Sequence, residues 1–247
     1  MNYLNKLINS LNKAPLTIIQ YNEILEKNDT FFDNIELETE LLVSNGLPLY
    51  FTEDFVMLKT STNLIEDQTF CVVDIETTAG NAKDGQIIEI GAVKYKNGQV
   101  IENYESLVNT REIPFKIQEL TGITPEMTHN APNLRAVLEE FKIFLEDDVF
   151  VAHAIAFDYN FISDSFKKYD LGELCNRRLC TIDLSKRVIE CERYGLKYLK
   201  EYLNIEIENH HRAYSDALST QKILKVCLDR LPQDIVTTED LIKFTKQ

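Results

Sequence analysis

The sequence predicts an α/β protein with a mixed sheet, preceded by a small helical unit, on three observations. Short runs rich in β-forming residues cluster between residues 70 and 108, and two of them are joined by a hairpin signal. After Pro132 a helical apolar face alternates with short apolar runs, the order that builds crossovers and parallel strands. Before residue 61 apolar residues recur at helical spacing and give way to a second hairpin pattern.

In chain order, the first 45 residues are helical in pieces: Pro15 stands just before LTIIQYNEIL, and Leu37, Leu41 and Leu42 share a helical face. LPLYF and FVMLKT, either side of Thr52-Glu53-Asp54, predict a small hairpin. Helices followed by a hairpin resemble a winged-helix module. The polar stretch STNLIEDQ (61–68) marks a boundary, giving an accessory domain over 1–65, a larger domain over 66–232 and a C-terminal helix over 233–247. In the larger domain FCVVDIE predicts a strand, and IIEIGAVKY and QVIENYESLV flank Lys96-Asn97-Gly98, a hairpin turn. Pro132 is expected to open a helix whose apolar face is Leu134, Val137, Leu138, Phe141, Phe144 and Leu145. VFVAH (149–153) predicts a buried strand, Phe157 to Lys168 a helix, LCTIDL a further strand, and the remainder is mostly helical. A last helix starts at Thr237, with Asp240 placed to close a capping box.

Composition narrows the functional classes. At 247 residues and 44% apolar the chain has enough material for a packed core. No apolar run approaches the roughly 18–20 residues that span a bilayer, and MNYLNKLINSLNK lacks the apolar segment of a signal peptide. Five cysteines without a CxxC pair supply neither a disulfide framework nor a zinc pattern, so reducing cytoplasm is the expected setting. The formal charge of −14 argues against gripping nucleic acid by charge alone. Residues 1–69 carry 4 basic and 11 acidic groups, which favours protein contact over DNA contact for that domain. Lys167, Lys168, Arg177, Arg178 and Arg212 are the few cations available to line a substrate approach.

The chemistry lies in the acids. Asp74 and Glu76 are two apart in a strand, so both carboxylates project from one face, at the C-terminal end where α/β sheets carry their sites. Like charges held side by side repel unless a cation separates them. Cys71 alternates to the opposite face and is expected in the core. Asp158 opens a helix directly after VFVAH, and Asp216 opens another, five residues after His211. Singly, each is an ordinary helix-start aspartate. Together they make a set of hard oxygen donors suited to Mg²⁺ or Mn²⁺ rather than zinc.

FCVVDIETTAG, VAHAIAFDYNFI and HHRAYSDA resemble the three motifs of the DEDDh family of 3′–5′ exonucleases, and IIEIGAVKY and ELTGIT match family segments in the expected order. The likeness covers about residues 69–230 and is greatest to the epsilon-type proofreading exonucleases of bacterial replicative DNA polymerases. It implies an RNase H-like fold with a five-stranded mixed sheet and helices on both faces. It assigns Asp74, Glu76, Asp158 and Asp216 to two Mg²⁺ (or Mn²⁺) ions, His211 to general base, and Thr77 and Phe157 to the substrate. The implied partners are a single-stranded or frayed DNA 3′ end and a polymerase subunit, with no membrane. His210 competes with His211 by proximity, but only His211 has the family spacing to Ala213 and Asp216. His153 is expected to be structural. Two departures stand out: Ala79 and Gly80 where the family often has Gly then an apolar residue, and Ala154 and Ile155 where it usually has an Asn. The alternatives are a 3′–5′ exoribonuclease of the same family, a catalytically inactive interaction module, and a winged-helix regulator.

Overall fold

The structure is a computed structural model and describes residues 2–28, 30–207 and 211–246. Three helices and three strands form the N-terminal unit: α1 (Asn2–Leu11), β1 (Leu16–Thr17), α2 (Ile18–Glu26), α3 (Ile35–Ser44), β2 (Leu49–Phe51) and β3 (Phe55–Leu58). Tyr3, Leu4, Leu7 and Leu11 put the apolar face of α1 onto Tyr21, Leu25, Leu42, Val56 and Leu58. Thr17 and Gln20 form a capping box at the start of α2, and Asn34 caps α3. The predicted hairpin is present as β2 and β3. The two-residue β1, too short to leave a period-2 signal, completes an antiparallel sheet in the order β1-β3-β2.

The larger domain is built on a five-stranded mixed sheet in the order β6-β5-β4-β7-β8, as the motif resemblance implies. Its strands are β4 (Phe70–Thr77), β5 (Ile87–Lys96), β6 (Gln99–Leu107), β7 (Val149–Ala152) and β8 (Arg178–Cys180). The first three pair antiparallel, and β7 and β8 run parallel to β4. Asn97 and Gly98 turn the β5–β6 hairpin with φ of 47° and 77°, both in the left-handed region that this tight turn requires.

Helices α4 (Phe115–Thr121), α5 (Pro125–Thr128), α6 (Leu134–Leu145), α7 (Ala156–Lys168), α8 (Thr181–Val188), α9 (Leu196–Tyr202), α10 (Ala213–Leu228) and α11 (Thr238–Phe244) complete the chain. Alternation along β4 divides the core. Cys71, Val73 and Ile75 join the apolar faces of α6 and α7, while Phe70 and Val72 join α8, α10 and α11.

Two predicted boundaries are corrected. The helix expected at Pro132 begins at Leu134, because the Asn133 side chain accepts from the Ala136 N–H and acts as the N-cap. Of LCTIDL only Leu179 and Cys180 are strand. From Thr181 the burial period changes, with Thr181, Leu184 and Ser185 on one helical face of α8. The capping box at Thr237 and Asp240 forms as predicted, and Leu241 and Ile242 of α11 are fully buried. Leu64 bridges to Thr237, so the boundary stretch runs beside the start of α11. Among the described residues no helix is long and apolar enough to cross a membrane.

Candidate active site

The site lies where the C-terminal end of β4 meets the first turns of α7 and α10. Asp74 and Glu76 point to the α10 face of the sheet, and a register shift between Glu76 and Thr77 ends the regular pairing with β5. Asp158 is in the first turn of α7 and Asp216 in the first turn of α10. The tight β7–α7 connection passes through Ala154, whose φ is 68°.

The α10 helix can lie against the sheet because Gly91 of β5 has no side chain. A Cβ there would come within 2.1 Å of the Tyr214 nitrogen and 2.3 Å of the Ala213 carbonyl carbon. His211 precedes the helix with φ of 61° and donates its backbone N–H to Asp216 Oδ2 at 3.1 Å. Glu76, His211 and Asp216 can each offer a ligand atom within 4.8 Å of the others.

The electrostatics are those of carboxylates crowded together. Burial, then the charges of Asp158, Asp216, Glu76 and Glu89, hold the Asp74 carboxyl well above the usual range, although an opening to solvent remains beside it. Burial and the Glu89, Asp216 and Asp158 charges push Glu76 up to about 8, with Arg212 pulling the other way. Burial raises Asp158 to about 7, and backbone hydrogen bonds, one of them involving Ile75, offset part of that. Such a donor set fits hard divalent cations: they relieve the repulsion, and oxygen is the ligand atom they take. Asp158 and Asp216 both stand at helix starts, where the helix dipole favours negative charge.

His153 is structural in its contacts. Its Nδ1 lies 2.8 Å from Thr181 Oγ1 and its Nε2 2.8 Å from the Tyr194 carbonyl oxygen, and burial lowers its pKa to about 4. Thr77 is buried and its hydroxyl donates to the Ala79 carbonyl at 2.8 Å, tying down the loop after β4. Phe157 is 41% exposed, one residue before Asp158, with its ring tilted on Phe161. His210, the alternative base, lies outside the described residues.

Several expected approach cations are engaged elsewhere. Arg177 is buried in an ion pair with Glu239, Lys167 bonds Glu173 at 2.8 Å, and Arg178 lies over the Tyr159 ring. Arg212 is bound by Glu89, a fully buried carboxylate that motif spacing did not single out. A lone Glu and a Gly inside the apolar run IIEIGAV were the available signal, since both types are unfavourable within a central strand.

The sequence matches the family profile described as Exonuclease over residues 71–224. It is 37% identical over 172 residues to a PolC-type DNA polymerase III of Clostridium perfringens, covering 68% of this chain and 12% of that protein. It is 36% identical over 203 residues to a PolC-type DNA polymerase III of Halalkalibacterium halodurans, covering 81% of this chain and 14% of that one. The chain thus spans about an eighth of the length of these curated relatives. Among solved structures it resembles an exonuclease X in complex with 5′ overhanging duplex DNA. There the TM-score is 0.58 at 22% identity, over 71% of this chain and 99% of that one. It also resembles an E. coli exonuclease I in complex with a dT13 oligonucleotide, with TM-score 0.59 at 18% identity, over 66% and 42% of the two chains.

Proposed function

The chain belongs to the exonuclease family, and we propose that within it the protein is a divalent-metal-dependent 3′–5′ exodeoxyribonuclease of the proofreading type. One observation carries this reading: Asp74, Glu76, Asp158 and Asp216 converge from a strand end and two helix starts, close enough that the Asp158 and Asp216 charges raise the proton affinities of Asp74 and Glu76, with His211 beside Glu76 and Asp216. Those four carboxylates would hold two Mg²⁺ or Mn²⁺ ions. When bound, the ions supply Lewis-acid stabilisation of the phosphate and leaving oxygen and acidify an attacking water.

The protein's own residues do the rest. His211, exposed at the rim, accepts the water proton as the general base. The Thr77 backbone and the exposed Phe157 ring receive the terminal sugar and base, an aromatic face being tolerant of sequence. Each turn would release a nucleoside 5′-monophosphate from a 3′ end. The PolC-type DNA polymerase III relatives and the DNA bound to the exonuclease X and exonuclease I neighbours support DNA as substrate and replication as context. A polymerase partner and a cytoplasmic setting accord with that context.

The test is hydrolysis of 5′-labelled single-stranded DNA and RNA with Mg²⁺ or Mn²⁺, with and without EDTA. We expect a ladder shortening from the 3′ end of DNA, abolished by EDTA and by Asp74→Asn. Efficient trimming of RNA with DNA untouched would favour the exoribonuclease alternative, and no hydrolysis of either would favour the inactive interaction module.

A further inference from the structure

Glu89 sits on β5 directly opposite Glu76 on β4 and is fully buried. A fifth carboxylate, facing Glu76 across the strand pair, is costly in itself, because like charges so placed repel. Its bonds show what it does. Both Glu89 oxygens accept from Arg212 Nε, at 3.0 and 3.2 Å, and Oε1 also accepts from Arg212 Nη2. Oε2 accepts from the Ala213 backbone N–H at 2.9 Å. Ala213 is the first residue of α10, whose N-cap, Arg212, makes no side-chain cap bond. Glu89 therefore supplies from another strand the acceptor that the N-cap side chain does not provide.

His211 is the residue these bonds constrain. Its left-handed φ of 61° is unfavourable for a non-glycine residue and persists only where the surroundings over-determine it. Three consecutive residues are fastened: the His211 N–H to Asp216, the Arg212 guanidinium to Glu89, and the Ala213 N–H to Glu89. Two of the three fastenings go to one side chain. Gly91, two residues along the same face of β5, admits the α10 backbone, so one strand both seats the helix and anchors the turn before it.

We propose that Glu89, through Arg212 and the Ala213 N–H, is a positioning residue that holds the His211 turn in its left-handed conformation and so aims the imidazole at the reacting water. This role rests on the nuclease reading above. A buried ion pair kept only for stability is replaceable, since well-packed apolar residues often serve as well or better. An acceptor that fixes the backbone on the C-terminal side of the base is not.

The experiment is a double-mutant cycle on hydrolysis of a short single-stranded DNA, with Glu89→Gln and Arg212→Lys each made in wild-type and His211→Ala backgrounds. Gln keeps the shape but loses the charged two-oxygen acceptor, and Lys keeps the charge but loses the planar fork. Misplacing a catalytic group by about 1 Å costs about 10²-fold, so we expect each variant to lower kcat by about that factor with KM little changed. In the His211→Ala background neither should lower kcat further, because the group they position is gone. Multiplying effects in that background, or full activity of both single variants, would overturn the proposal. If Glu89→Gln does not fold, Arg212→Lys carries the same two outcomes. Wild-type protein that hydrolyses nothing would overturn the nuclease reading and this proposal together, whereas active wild type with unimpaired variants overturns this proposal alone.

Discussion

Asp74, Glu76 and Asp158 hold their protons more tightly in the folded chain than in the unfolded one, and the sign of the consequence follows. An unfolded carboxyl ionises near pH 4, whereas Glu76 titrates at about 8 and Asp158 at about 7 when folded without metal. Between those values the native state binds more protons, so metal-free stability falls as pH rises from about 4 to about 8. His153 acts at the other end. Its folded pKa of about 4 lies below that of an unfolded histidine, so its contribution is present above about pH 6.5 and is lost as pH falls. Ala154 offers a separate test at this scale. Its φ of 68° suits Asn or Gly better than Ala, and the residue is exposed. The Asn that the family usually carries in this stretch is therefore explicable as backbone accommodation. Ala154→Asn is expected to raise stability by about 1 kcal/mol in denaturant melts while leaving hydrolysis unchanged.

At the scale of elements, the seating of α10 on β5 decides whether the site exists. Gly91→Ala would force a methyl against the Ala213–Tyr214 backbone, which cannot move aside as a flexible side chain could. We expect it to lower the melting temperature and reduce hydrolysis by more than tenfold, about the cost of displacing catalytic groups, with Asp216 and His211 displaced together. Unchanged kinetics would show that α10 has freedom the packing denies it. This same contact marks the limit of what was legible in the sequence. Asp74, Glu76, Asp158 and Asp216 were legible because strand alternation and helix starts are local properties, and the structure places the other three within electrostatic reach of Asp74. Glu89 was not, because its worth depends on Arg212, 123 residues away. Strand β1 was too short to show a period. The end of β8 was misplaced because LCTIDL changes from strand to helix in mid-run, and β-branched residues at the change favour the strand interpretation.

Over the whole molecule, the N-terminal unit, the sheet domain and the C-terminal helix meet at one buried ion pair. Arg177, just before β8, is paired with Glu239 of α11, Glu239 also accepts from Thr60 at 2.7 Å, and Arg177 reaches Asn12 after α1. Lys142 of α6 bonds Asn45 at the end of α3 at 2.8 Å, and Cys175 lies in the N-terminal core. Glu239→Ala leaves Arg177 buried and uncompensated, so a loss of about 3–5 kcal/mol is expected in denaturant unfolding. A loss below about 1 kcal/mol would mean that the pair behaves as a surface bridge. The formal charge of −14, with several basic residues occupied by internal partners, accords with the proposed delivery of DNA by a partner rather than capture by charge.

The central claim is that the crowded carboxylates are a divalent-cation site, and thermal melts across pH with and without Mn²⁺ test it most directly. Cations compete with the protons that these acids retain, and binding to the native state alone raises its melting temperature. The Mn²⁺-induced gain should therefore be small near pH 5, grow towards pH 8 as Asp158 and Glu76 would ionise, and be largely lost in Asp74→Asn. A gain of the same size in the variant, or none at any pH, would contradict the account.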